Sequence, residues 1–220
     1  MSISSCHHKA EVLRETEKFE RALRLYDKVI EGYLEAKNYE GVAQALQGKV
    51  LTYKHLYARK RKVEYLKLAI GSAMSSLEIS KKYELKQMYT SAYFRLGEVY
   101  RLADNYKEAV KNFEKAYKLG EEEKERGDYL YHLGETLYKK GEKKLGLSKV
   151  VAGLKLIEKD KNRLDPFIYN VWKSGALMRL WQIKGEEKYL KMASQIIKKD
   201  KRLVIRAKQL KEIRSGKYYW

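Results

Sequence analysis

Two stretches decide the fold: Ala92-Tyr-Phe-Arg-Leu-Gly-Glu-Val-Tyr100, and after it Asn105-Tyr-Lys-Glu-Ala-Val-Lys-Asn-Phe-Glu-Lys-Ala116. Both read as helices, with apolar residues returning every three or four positions and an Asp104-Asn105 turn between them. The pattern then recurs. Leu130-Tyr-His-Leu-Gly-Glu-Thr-Leu-Tyr138 repeats the first stretch, followed by Gly141 and Leu145-Gly146. Leu-Gly-Glu stands at 96–98 and again at 133–135, a spacing of 37 residues.

The same frame finds further copies. Ala43-Gln-Ala-Leu-Gln-Gly48-Lys-Val-Leu51 has Gly48 in the glycine slot, and Trp172-Lys-Ser-Gly175-Ala-Leu-Met-Arg-Leu180 has Gly175 there. A degenerate copy opens the chain. Ala10 replaces the glycine, Phe19 corresponds to Tyr106, and Ala22, Tyr26 and Val29 fall where Ala109, Phe113 and Ala116 fall.

This combination resembles the tetratricopeptide repeat family, whose first helix carries a large residue, Leu-Gly and an aromatic, and whose second carries Ala, an aromatic and Ala. Tyr93, Leu96, Gly97, Tyr100, Ala109, Phe113 and Ala116 fit that pattern. Small residues at Gly97 and Ala109 suit a close approach of two helix backbones, and Tyr100 and Phe113 fill the space between layers. The departures are clear. Glycine slots are separated by 38, 49, 37 and 41 residues, against about 34 in the family. Gln47 stands where leucine belongs, Gly146 and Gly153 replace alanines, and no copy has the closing proline.

The resemblance implies an all-α, right-handed α-α superhelix, a solenoid of about five helix-turn-helix repeats with a C-terminal capping helix. The expected organisation is one domain over 1–220. Its repeats lie near 9–37, 39–82, 85–120, 124–160 and 166–199, and the cap at 201–214. Helices are expected over 9–16, 18–37, 39–58, 62–82, 85–103, 105–120, 124–140, 142–160, 166–184, 186–199 and 201–214. Asp165-Pro166 is a strong helix start, with a capping carboxylate and a proline in the first turn. Leu203, Ala207, Leu210 and Ile213 give the last helix one apolar face.

Composition agrees. One proline in 220 residues leaves little turn punctuation, and charged residues reach 35%, against about a quarter in ordinary domains. Cys6 is the only cysteine and excludes an intramolecular disulfide. That usage, the absence of a signal-like apolar start and the lack of a long uncharged apolar run make a soluble, cytoplasmic protein the expectation. Forty-eight Lys+Arg against 29 Asp+Glu give a net charge of +19. Such a surface attracts polyanions; the competing reading is a lysine-rich composition with no ligand behind it.

No glycine-rich phosphate loop or GxGxxG is present, and no enzyme activity, metal or cofactor is expected. Cys6, His7 and His8 lie together without a fourth nearby ligand and read as part of a flexible tail. His55 and His132 are isolated, and Glu98 and Glu135 correspond because the repeat reproduces them.

With the glycine slot counted as position 8, the resemblance implies that positions 2, 5, 9, 12 and 13 of each first helix face an inner groove. The residues so placed include Lys49, Tyr53, Phe94, Glu98, Arg101, Tyr131, Glu135, Tyr138, Trp172 and Arg179. Aromatics and arginine anchor interfaces; the alternative is that Phe94, Tyr131 and Trp172 pack against a neighbouring helix. No asparagine occupies position 2, 5, 6 or 9 of any copy, which argues against the grip on acidic chaperone tails known in some relatives.

Two basic clusters stand apart: Arg59, Lys60, Arg61 and Lys62, and then Lys201, Arg202, Arg206, Lys208 and Lys211. From Lys198 to Lys217 there are nine basic and two acidic residues. The functional expectation is a protein-interaction scaffold whose groove takes a peptide or helix, acidic overall. The alternative is sequence-independent nucleic-acid binding through the basic patches.

Overall fold

The computed structural model describes residues 2–120 and 124–216. Among these there are eleven α-helices and no strand: α1 (Ile3–Glu15), α2 (Phe19–Glu35), α3 (Tyr39–Lys60), α4 (Val63–Lys82), α5 (Lys86–Leu102), α6 (Tyr106–Leu119), α7 (Arg126–Lys139), α8 (Lys143–Lys159), α9 (Pro166–Lys184), α10 (Glu187–Lys199) and α11 (Val204–Arg214). The chain is all-α and built from antiparallel helix pairs, as the repeat pattern requires. It divides into two compact units, Met1–Leu119 and Gly120–Trp220.

One boundary differs markedly from expectation. The first helix begins at Ile3, not near residue 9, so Cys6, His7 and His8 are helical and not a flexible tail. Ser2 caps it, accepting from the Ser5 amide at 3.2 Å. Ile3 and Cys6 pack on a core of Ala10, Ala22, Tyr26, Val29 and Tyr33, which ties the segment down. Burial of that apolar side outweighs the fraying of a chain start.

Five of the turns share one device. Glu17, Lys37, Glu84, Asp104 and Gly141 each stand two residues before the next helix with positive φ. In each, the following amide reaches back five residues to a helix carbonyl: Lys18 to Leu13, Asn38 to Tyr33, Leu85 to Ser80, Asn105 to Tyr100 and Glu142 to Leu137, at 2.8–3.0 Å. This is the Schellman closure of a helix end. Only Gly141 (φ 105) announces it by residue type. Asp165 caps α9 as expected, accepting from the Phe167 and Ile168 amides.

Within the first unit, Val50, Ala69, Ala73, Leu77, Ala92, Leu96 and Val99 form a core between α3, α4 and α5. Gly97 lies against Phe113 of α6, where a Cβ would come 2.7 Å from the ring. In the second unit, Tyr131, Val150, Ile157, Ala176 and Leu180 pack between α7, α8 and α9. A further core joins α9, α10 and α11 through Leu177, Ala193, Leu203, Leu210 and Ile213. The last helix therefore covers the end of the final pair, and burial of its apolar stripe is what holds it there.

Candidate functional site

In the first unit, the first helices of successive pairs lie side by side and line an open, concave pocket of about 490 Å³. Helix α1 supplies Ser4, His7, His8, Glu11 and Arg14, α2 Tyr33, α3 Gln44, Gln47 and Leu51, and α5 Arg95. The floor is held by hydrogen bonds. The His7 Nδ1 lies 3.3 Å from the Tyr33 hydroxyl, with the two rings edge to face. The Arg14 guanidinium donates to the Tyr26 hydroxyl and to Glu15. Gln47 Nε2 donates to Ser91 Oγ at 3.0 Å, linking α3 to α5. Arg95 pairs with Glu98, and its guanidinium stacks over the Phe94 ring at 5.3 Å. Burial lowers the His7 pKa and pushes the Tyr26 hydroxyl up to about 12. Cationic and imidazole groups outnumber carboxylates on the lining, where Glu11 is the one acid.

The groove residues read from the sequence are distributed as follows. In the first unit, Lys49 is half-buried and pairs with Asp27 at 2.6 Å. Tyr53 is half-buried and stacks on Tyr65. Phe94, only 4% exposed, packs on Phe113 with ring centroids 5.5 Å apart. Glu98 and Arg101 are buried. Glu98 is clamped between Lys54 and Arg95, and burial pushes the Lys54 amine down to about 8. In the second unit, Tyr131 is 1% exposed and belongs to the core. Glu135 is fully buried, with Arg179 Nε at 3.1 Å and His132 Nδ1 at 3.4 Å. Trp172 and Tyr138 are half-buried, Trp172 against the Tyr131 core.

The pocket side chains Gln44, Gln47, Leu51 and Arg95 were not singled out by the repeat frame, and His7 was assigned to a tail. A signal existed for α1. With Ala10 in the glycine slot, positions 2, 5, 9 and 12 are Ser4, His7, Glu11 and Arg14, and all four line the pocket. In α3 the frame is rotated. Ala45 and Thr52, at positions 5 and 12, are buried, while Gln44, Gln47 and Leu51 face the pocket. In the same helix Gly48 meets Tyr26 of the preceding helix α2, whereas Gly97 of α5 meets the following one. The polar Gln47 in a leucine slot was the visible trace of that rotation.

The basic clusters are largely engaged. Arg59 pairs with Glu17 and lies over Phe19. Lys60 pairs with Glu20, and Arg61 lies over Tyr57. Lys62 is exposed. In the second cluster Arg202 pairs with Asp200 at 2.8 Å. Arg206 is half-buried and donates to the Val171 carbonyl at 3.1 Å. Lys201, Lys208 and Lys211 are exposed, and Lys217 lies outside the described residues. Among the described residues no cluster of three or more His, Cys, Asp or Glu side chains is placed to hold a metal, and no helix is long and apolar enough to cross a membrane.

Helix pairs of this kind, closing on small residues, define an α-α repeat protein. Models of the tetratricopeptide repeat match residues 2–36 and 90–122, and these matches, together with the helix pairs, support assignment to the tetratricopeptide repeat family. No curated protein matches by sequence. Solved structures share the fold. A kinesin light chain of Podosopora anserina with nearly identical TPR-like repeats is 13% identical, with a TM-score of 0.61, covering 92% of this chain and 99% of its own. BtubC (BKLC) from P. vanneervenii is 16% identical, with a TM-score of 0.62, covering 96% of this chain and 80% of its own. A Rap protein, solved in complex with Competence and Sporulation Factor, is 17% identical, with a TM-score of 0.64. That match covers 98% of this chain and 65% of the Rap protein. The tetratricopeptide repeat is in general a non-enzymatic scaffold fold, and its presence supports a protein-interaction scaffold.

Proposed function

We propose that the chain holds a segment of another protein, acidic overall and either extended or helical, in the concave face formed by α1, α3 and α5. The observation that carries this reading is the pocket of about 490 Å³ lined by His7, His8, Arg14, Gln44, Gln47 and Arg95. It offers amide, imidazole and guanidinium donors where the family uses its first helices, the arginines being already paired with Glu15 and Glu98, and a volume within the range of pockets that hold ligand groups. The Rap protein solved with its factor supports the same use of the fold. In the second unit, the half-exposed Trp172 and Tyr138 are among the aromatic contacts available on first helices, with Phe167, Tyr169 and Trp181 of α9. Localisation in the cytoplasm fits the single unpaired cysteine.

Peptide display against the immobilised chain tests the reading. Selected peptides are expected to be enriched in Asp and Glu. The double variant His8→Glu/Gln44→Glu changes two exposed rim residues and is expected to weaken their binding several-fold with the helical circular dichroism unchanged. Equal binding by the variant would move the site elsewhere.

A further inference from the structure

The stretch from Lys191 to Lys211 contains a single carboxylate, Asp200, and no aromatic residue. Asp200 is 9% exposed and already engaged by Arg202 and by Asn170 Nδ2 at 3.1 Å. Beyond its first turn, the exposed face of α10 consists of Lys191, Met192, Gln195, Lys198 and Lys199. Lys201 follows in the connection, and Lys211 is exposed on α11. Among the described residues, Lys191, Lys198, Lys199, Lys201 and Lys211 make no ion pair. Lysines in the last turn of a helix are favoured by its dipole, which accounts for Lys198 and Lys199. It does not account for Lys191, some 10 Å back along the axis at about 1.5 Å per residue, or for Lys201, beyond the helix end.

We propose that the outer face of α10, with the α10–α11 connection, binds the phosphate backbone of nucleic acid without reading its sequence. Three features select this occupant. Protein interfaces draw on aromatics and arginine and are depleted in lysine. Here the 191–211 stretch carries no aromatic, the nearby Phe167 ring is covered by Arg202, and both central arginines are engaged: Arg202 with Asp200, and Arg206 with the Val171 carbonyl. A membrane surface calls for apolar side chains that enter the lipid; this face exposes only Met192 and Val204. Flexible lysines with no stacking platform suit repeated phosphates and carry no base readout. The surface lies on elements separate from the pocket of the first unit.

The test uses the full chain with a fluorescein-labelled short DNA duplex, a short single-stranded RNA and phosphatidylserine vesicles, titrated across a salt series. Both nucleic acids are expected to bind near 50 mM salt, with log K falling linearly in log salt. The triple variant Lys198→Ala/Lys199→Ala/Lys201→Ala is expected to reduce that slope by about one unit per lysine on duplex DNA. The variant Lys28→Ala/Lys67→Ala/Lys118→Ala removes the same charge from exposed positions of the first unit and is expected to leave the slope unchanged. No binding to either nucleic acid, binding to vesicles alone, or an equal loss in both variants would overturn the proposal.

Discussion

Gly134 and Gly146 meet backbone to backbone across α7 and α8: a Cβ on Gly134 would lie 2.7 Å from the Gly146 carbonyl oxygen and 2.5 Å from the Val150 amide nitrogen. A Cβ on Gly146 would come equally close to the Tyr138 amide nitrogen and to the Gly134 carbonyl. Seven residues away on each helix, Gly127 and Gly153 make the same approach. Helical glycine costs about 1 kcal/mol relative to alanine, and the close approach of two backbones is what retains it here.

Substitution at these glycines should follow what each one touches. Gly134→Ala strikes backbone that cannot rotate away, and is expected to cost about 1–3 kcal/mol or more. Gly97→Leu drives into the Phe113 ring and is expected to fall in the same range. Gly71, in the exposed face of α4, has nothing within 4 Å of a built Cβ, so Gly71→Ala should stabilise by about 0.5–1 kcal/mol. The exposed Lys111→Leu should be nearly neutral. Urea denaturation of the four variants gives the ranking; a stable Gly134→Ala would mean the α7/α8 spacing is wrong.

Tyr131 and Trp172 should separate in the same assay. Tyr131 is 1% exposed, and Tyr131→Ala is expected to lose about 3–5 kcal/mol, as for other large core truncations. Trp172 is half-buried, so Trp172→Ala should cost less and keep the helical spectrum.

Acid sensitivity should trace in part to His55. Its ring stacks on Phe19, and burial beside Lys54 and Arg14 pushes its pKa down to about 4. The unfolded chain takes up that proton near pH 6.5, so between these values the unfolded state binds more protons. Stability is therefore expected to fall as pH drops from about 6.5 towards 4, and to be insensitive to this group above that window. His55→Phe should flatten the dependence, read as denaturation midpoints at neutral pH and within the window. An unchanged slope would exclude His55 as the source.

At the end of the second unit, Arg206 should behave as a structural residue. Its guanidinium reaches the Val171 carbonyl and fills the space a Cβ on Gly175 would need. Arg206→Ala is expected to cost about 1–3 kcal/mol and to speed amide exchange in α11, while Lys211→Ala, at an exposed position, should do neither.

The sequence by itself determined the helices and their pairing. Apolar periodicity and the recurring Leu-Gly-Glu frame located the eleven helices of the described residues, though not the start of α1. They also placed Gly97 and Gly134 against α6 and α8, because both signals depend on residues close together in the chain. Tertiary structure decided which way each helix faces. Gly48 meets Tyr26 of α2, and Gln44, Gln47 and Leu51 face the pocket in place of Ala45 and Thr52. Arg59 and Lys60 are neutralised by Glu17 and Glu20 from a turn some forty residues earlier. His7 lines a pocket because Ile3 and Cys6 find a core to pack on. A periodic pattern fixes that a helix forms and which stripe is apolar. Its rotation about its own axis, and the partner each charge meets, depend on neighbours distant in sequence, and no local pattern carries that information.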